Sequence, residues 1–222
     1  MAQSNDFFAP IGAEWYYSWG YGYSNGYIHI VSVKDTLIGN KNCNVLTRKL
    51  YTYDFMNNAY DTAFLGYEYV YEDSGRVFYY RFNKFYKLYD FNAKPGEGWE
   101  IAGDFSFGSD GPSTSVGYIQ VDSVGKLFIN NDSLRYMYVS APTTSQWFFG
   151  ISADVCYWPS IMIIEKIGCI KYMFPRPACL SSEYSNTGQL RCYSDGLFGN
   201  FFTNIDPDCA HIYTGIEKAN DV

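Results

Sequence analysis

The residues of this chain whose types could do chemistry are few: two histidines, a scatter of carboxylates, six cysteines and one Gly-x-Ser-x-Gly match. That match, Gly22-Tyr23-Ser24-Asn25-Gly26, would be a nucleophile elbow if a strand led into it and a helix came next. The next residues are Tyr27-Ile28-His29-Ile30-Val31, a strand pattern, so the motif reads as a turn between strands. His211 comes after Ser24 and several aspartates, in the Ser-Asp-His order of a hydrolase, yet Ala210, Ile212 and Tyr213 around it suggest a half-buried strand position near Cys209. His29 sits between two isoleucines. Both histidines read as structural.

Glu14, Glu68, Glu72, Glu97, Glu100 and Glu165 would serve as general acid and base only at the right mutual separation, which a sequence does not give. Asn130-Asn131-Asp132 and Asp206-Pro207-Asp208 cluster oxygens that calcium uses, but without EF-hand spacing, and they read as turns. No Cys-x-x-Cys pair occurs, and zinc sites of usual spacing need one or its histidine equivalent. The expectation is therefore no catalytic residue, no metal and no cofactor.

Binding is the better prospect. Trp15, Tyr16, Tyr17, Trp19, Tyr21, Tyr23 and Tyr27 lie too close together for one alternating face to bury them all. Exposed aromatic patches mark binding sites, and such rings stack on sugars or dock an extended peptide. Trp15, Tyr17, Trp19, Tyr21 and Tyr23 are the candidate ligand-binding residues.

The elements that would position them are strands. Of 222 residues, 20% are aromatic and 18% charged, a mix that suits pleated, half-buried surfaces. All-β folds reach this length as one domain, so residues 1–222 are read as a single domain with 215–222 as a polar tail. Net charge is -7 without a basic cluster, which lacks the footprint of a nucleic-acid binder. The most apolar stretch, Ile161 to Ile164, ends at Glu165, far short of a membrane span. Met1 to Asp6 has no basic or apolar signal region, so any export signal has been removed.

Patterning places strands near 14–20, 26–33, 43–53, 66–72, 77–82, 85–91, 98–102, 116–124, 126–130, 134–140, 146–151, 161–167, 169–174, 189–193 and 198–202, following alternation between turn signals. Asn58 to Leu65 is the best helical candidate, and Cys179 to Ser185 could form one turn. A two-residue turn at Ser74-Gly75 predicts a hairpin with Asp73 opposite Arg76 and Glu68 opposite Arg81. One of its faces, Tyr67, Tyr69, Tyr71, Phe78, Tyr80 and Phe82, is an aromatic ladder; the other, with Glu68, Glu72 and Arg81, is polar. A second hairpin is expected to turn at Asn131-Asp132 with Ile129 opposite Leu134. The segment Gly103 to Ser115 reads as a surface loop. The fold class predicted is all-β: an antiparallel meander of many short strands forming a curled barrel-like sheet or two packed sheets.

Cys43, Cys156, Cys169, Cys179, Cys192 and Cys209 read better as disulfides than as free thiols, which implies an oxidising compartment. Their partners are not deducible from the residues alone.

Four segments carry a family likeness: Pro10-Ile11-Gly12-Ala13-Glu14-Trp15-Tyr16-Tyr17; Leu88-Tyr89-Asp90-Phe91 with Gly96 and Trp99; Glu165-Lys166-Ile167-Gly168; and Leu190-Arg191-Cys192-Tyr193 with Cys209 downstream. In them the chain resembles the β-rich N-terminal regions of secreted Bacteroidetes proteins that often end in a type IX secretion sorting domain. Similar sequences carry Glu-Gly-Ile-Gly where this one has Lys166. The resemblance implies a secreted or cell-surface location and a Cys192–Cys209 bridge. It also gives meaning to Asp35-Thr36-Leu37, Asp61-Thr62-Ala63, Asp122-Ser123-Val124 and Asp132-Ser133-Leu134, which look like O-glycosylation acceptors of that group. The function expected is a non-catalytic binding module for a glycan or an extracellular protein. A secreted hydrolase and a structural passenger domain are the alternatives.

Overall fold

Turn chemistry sets the frame. The computed structural model describes residues 8–103, 116–141, 147–149, 160–177 and 186–215, and strands joined by tight turns fill most of it. They are β1 (Glu14–Tyr21), β2 (Ser24–Ile38), β3 (Lys41–Asp54), β4 (Ala59–Asp73), β5 (Arg76–Arg81), β6 (Lys84–Asp90), β7 (Gly98–Ala102), β8 (Val116–Ile129), β9 (Asp132–Ser140), β10 (Trp147–Phe149), β11 (Ile161–Ile164), β12 (Gly168–Cys169), β13 (Pro175–Pro177), β14 (Asn186–Asp195) and β15 (Gly199–Phe202). No helix occurs among the described residues.

The strands form an eight-stranded sheet in the order β15-β14-β1-β2-β3-β4-β5-β6, a five-stranded sheet in the order β12-β11-β9-β8-β7, and the pair β10-β13. All ladders among the described residues are antiparallel, and one of the sheets curls as a half-barrel. One core unites the sheets, running from Phe8 and Trp15 through Val77, Leu88 and Ile119 to Ile163 and Tyr193.

Tyrosine and tryptophan suit this interface because each brings a large apolar body and one polar atom that needs a partner. Across the core, the Trp15 indole N–H donates to the Ile167 carbonyl at 2.8 Å. The Tyr17 hydroxyl donates to the Cys169 carbonyl at 3.1 Å, and the Tyr89 hydroxyl to that of Met173 at 2.7 Å. Tyr79 reaches the Ala102 carbonyl in the same way.

The Ser74-Gly75 hairpin forms with Asp73 opposite Arg76, and both turn residues take positive φ, 54 and 75 degrees, as a type I′ turn requires. Glu68 pairs with Arg81. The faces carry opposite roles to those their composition suggests. The polar face is the buried one: Glu68, Val70, Val77 and Tyr79 are all 0% exposed. The aromatic ladder forms the outer face, where Tyr71 stacks on Phe78 at 4.9 Å and Tyr67 is exposed. Burial of Glu68 is tolerated because Arg48, at 2.8 Å, and Arg81 both neutralise it, whereas an unpaired buried carboxylate would cost several kcal/mol.

Other expectations are corrected. The second hairpin turns at Asn130-Asn131, so Leu127 faces Leu134 and Ile129 faces Asp132. Two consecutive asparagines hold φ of 50 and 68 degrees, which Asn tolerates better than other non-glycine residues. The strands expected at 116–124 and 126–130 are one strand, β8, which ends at Ile129 and is bent by a bulge between Val121 and Ser123. Asn58 to Leu65, the helical candidate, belongs mostly to β4, where cross-strand pairing with β3 from Asp54–Ala59 onward overrides local propensity. Of the strand expected over 169–174, only Cys169 belongs to a strand, β12. The turn expected at Cys179 to Ser185, the loop Gly103 to Ser115 apart from Gly103, and the tail 216–222 lie outside the described residues.

Cys192 and Cys209 are disulfide-bonded, with Cα atoms 5.5 Å apart. Cys43 and Cys169 are buried free thiols, so the disulfide reading does not extend to them; each sits as a small apolar side chain in a packed interior. Cys156 and Cys179 lie outside the described residues.

Candidate functional site

Strand alternation divides the five aromatic candidates. Side chains at i and i+2 share a face, and β1 turns Trp15 and Tyr17 into the core, where both are fully buried. Burial also drives the Tyr17 phenol far above its ordinary range. Neither can meet a ligand. Trp19 comes next on the same face, half-buried against the edge of the core. Tyr21 and Tyr23 flank Gly22 in the β1–β2 turn and are exposed.

The outer face of β1 and β2 holds the residues between them. Tyr16 stacks on His29 with ring centroids 4.2 Å apart, Tyr27 stacks on Tyr51 at 5.0 Å, and Glu14 receives both the Tyr16 hydroxyl at 3.0 Å and the His29 Nε2 at 3.1 Å. Desolvation by burial lowers the His29 pKa despite the opposing pull of Glu14. A carboxylate that orients an imidazole in this way fixes its tautomer. Ser24 lies five residues along β2 from His29, beside the turn, and no helix succeeds it. The Gly22–Gly26 motif is thus a turn leading into a strand.

The exposed rings gather where the β1–β2 and β3–β4 turns meet. The Phe55 N–H donates to the Tyr23 carbonyl at 2.9 Å, which joins the two loops. Around Tyr53, Phe55 packs edge-on at 5.5 Å and Tyr60 at 5.0 Å. Tyr23, Met56 and Tyr60 are 69%, 70% and 67% exposed. Polar groups punctuate the rings. The Asp54 carboxylate organises the loop by accepting the Met56 N–H at 2.8 Å and the Asn57 amide at 2.7 Å, bonds that lower its pKa. Asn58 accepts the Tyr53 hydroxyl, and Asp61 is exposed beside Tyr60.

The C-terminal segment borders this patch. Arg191 donates to Ser18 at 2.9 Å and to the Gly26 carbonyl at 2.8 Å, pairs with Asp206, and reaches the His211 carbonyl. Asn25 donates to the Tyr213 carbonyl at 2.7 Å. The disulfide holds the same segment from Cys209. His211 is therefore in a strap rather than the strand its neighbours suggested.

The sequence points to Tyr21 and Tyr23 but misses Phe55, Met56 and Tyr60. Their signal was the run Tyr51-Thr52-Tyr53-Asp54-Phe55-Met56 and Tyr60, whose last part resembled the start of a helix.

The remaining chemical candidates are committed elsewhere. Glu72 accepts the Phe8 N–H at 2.6 Å, Glu97 that of Lys94, and Glu165 that of Arg135. Asn130 directs its amide N–H groups to Phe198 and Asn200, Asp132 pairs with Lys166, and Asp208 accepts the Ala210 N–H. Among the described residues no group of three or more His, Cys, Asp or Glu side chains is placed to hold a metal. No protein-family model, no curated protein and no solved structure matches this chain.

Proposed function

We propose that this chain is an exported binding module, without a catalytic role, that engages a glycan through the exposed aromatic cluster at the β1–β2 and β3–β4 turns. The observation that carries the reading is the gathering of Tyr23, Phe55, Met56 and Tyr60 at the joined turns, all exposed. Large side chains left in water at one place mark interaction sites. Their setting among Asp54, Asn57, Asn58 and Asp61 supports a sugar ligand, whose C–H faces lie on rings while its hydroxyls bond to carboxylates and amides. Export is supported by the Cys192–Cys209 bridge, since such bonds persist in oxidising compartments, and by the resemblance to secreted Bacteroidetes proteins.

The test is a glycan array probed with the purified chain and with Tyr23→Ala and Tyr60→Ala variants. Specific glycan binding that falls at least about tenfold in both variants is expected, equivalent to about 1.4 kcal/mol each. Absence of binding, or binding indifferent to both substitutions, would overturn the reading.

A further inference from the structure

We infer that a notch at the opposite end of the large sheet is a second binding site, built for one uncharged sugar unit. Along β3, Asn42 of the notch and Asp54 of the aromatic cluster are twelve residues apart, about 40 Å at strand rise. It stands on its own geometry and does not depend on the hairpin-tip reading.

The notch exists because two hairpins part. The β3–β4 ladder ends at the Asn44–Val70 pair. Beyond it Lys41, Asn42 and Cys43 continue with β2, while Tyr71, Glu72 and Asp73 continue with β5. Phe8 and Pro10 line the gap from the core side, held by the Phe8 N–H to Glu72 at 2.6 Å, the Asn44 amide to the Phe8 carbonyl at 3.4 Å, and the Ser32 hydroxyl to the Ala9 carbonyl at 2.9 Å. The cleft so formed has a volume of about 580 Å³, inside the range of roughly 300–1,000 Å³ typical of small-ligand sites.

Its lining selects the ligand. Asn40, Asn42 and Asn44 each present a donor and an acceptor, the pairing that hydroxyl groups match. Asn42 and Asn44 are two apart on β3 and so point to one side of the strand. Tyr71 adds a ring, with the Lys41 ammonium 5.0 Å above it. Lys41 also lies 3.7 Å from Asp73, and Glu72 supplies a second carboxylate, leaving the lining with net negative charge. An anionic ligand is repelled by that balance in a chain already at -7. A metal ion would meet the Lys41 ammonium. An apolar peptide side chain would find only Phe8, Pro10 and Tyr71 to cover it. A neutral hexose or pentose meets the asparagine amides with its hydroxyl groups and brings no charge for the carboxylates to repel.

The experiment is an amide chemical-shift titration of the isotope-labelled chain with neutral gluco-, manno-, galacto- and xylo-oligosaccharides and, separately, with galacturonate oligomers. The inference expects a neutral sugar to shift residues 40–44 and 71–73 and expects at least about tenfold weaker binding in the Asn42→Ala variant, with its other resonances preserved; galacturonate should leave the notch unmoved. It is overturned if no neutral sugar shifts the notch, if galacturonate binds there equally well, or if Asn42→Ala binds as tightly as the parent. Shifts at residues 21–24 and 53–60 report the aromatic cluster independently, so either site can fail while the other stands.

Discussion

The guanidinium of Arg191 and the carboxylate of Asp206 lie 2.9 Å apart with both side chains almost wholly buried. This pair joins β14 to the C-terminal strap, and the same guanidinium bonds Ser18 and the Gly26 carbonyl. Burial lowers the Arg191 pKa, a shift that Asp206 opposes. Asp206→Ala would leave the guanidinium buried without its counter-charge. The expected loss is about 3 kcal/mol, the lower end for a broken buried pair. Denaturant unfolding measures it, and a loss below about 1 kcal/mol would show that water replaces the carboxylate.

The disulfide restrains the same strap, closing a separation of 17 residues. Loop-closure entropy assigns about 3 kcal/mol to such a loop. A Cys192→Ser, Cys209→Ser double variant should lose about that much, with the core thiols unaffected. Burial pushes the Cys169 thiol up to about 12 and also raises Cys43. Both should resist alkylation at pH 8 in the native protein and react in denaturant, as peptide mass spectrometry would read. Rapid native labelling of either would contradict their burial.

His29 gives a pH signature. Desolvation lowers its folded pKa below the ordinary 6.5, so between the two values the unfolded chain binds more protons. The stability contributed by the neutral imidazole is therefore complete above about 6.5 and declines as pH falls through the window below it. A His29→Phe variant, which keeps the ring beside Tyr16, should remove this component. Thermal unfolding at pH 7.5 and 5.5 compares the two proteins. Equal pH sensitivity in both would assign the effect to other groups.

Phe82 occupies a left-handed position, φ 48 degrees, in the turn it shares with Asn83 at φ 61 degrees. A left-handed backbone costs an ordinary residue about 1–2 kcal/mol and asparagine less. Because the Phe82 side chain is also exposed, Phe82→Asn should stabilise the fold by about 0.5–1 kcal/mol, read as a higher denaturant midpoint. An unchanged or lower midpoint would mean that the ring packs usefully on the outer ladder. Lys166 holds a comparable φ of 66 degrees. It also pairs with Asp132 at 3.0 Å, so its replacement would mix two opposing effects.

Local grammar was legible in the residues alone. Period-two alternation named nearly all the strands, and Ser74-Gly75 set one hairpin register because only a two-residue turn fits between Asp73 and Arg76. The same reading drew attention to Tyr21 and Tyr23, whose places beside a turn glycine survive any packing. Which face of each strand met the other sheet was a matter of tertiary packing. Alternation sorts residues into two faces but does not rank the faces, and the hairpin buried Glu68 and Tyr79 because Arg48, Arg81 and the Ala102 carbonyl were waiting across the sheet and the core. The same choice took Trp15 and Tyr17 out of reach of any ligand. It brought Phe55, Met56 and Tyr60 up beside Tyr23, a gathering that depends on two turns being pinned by one backbone hydrogen bond.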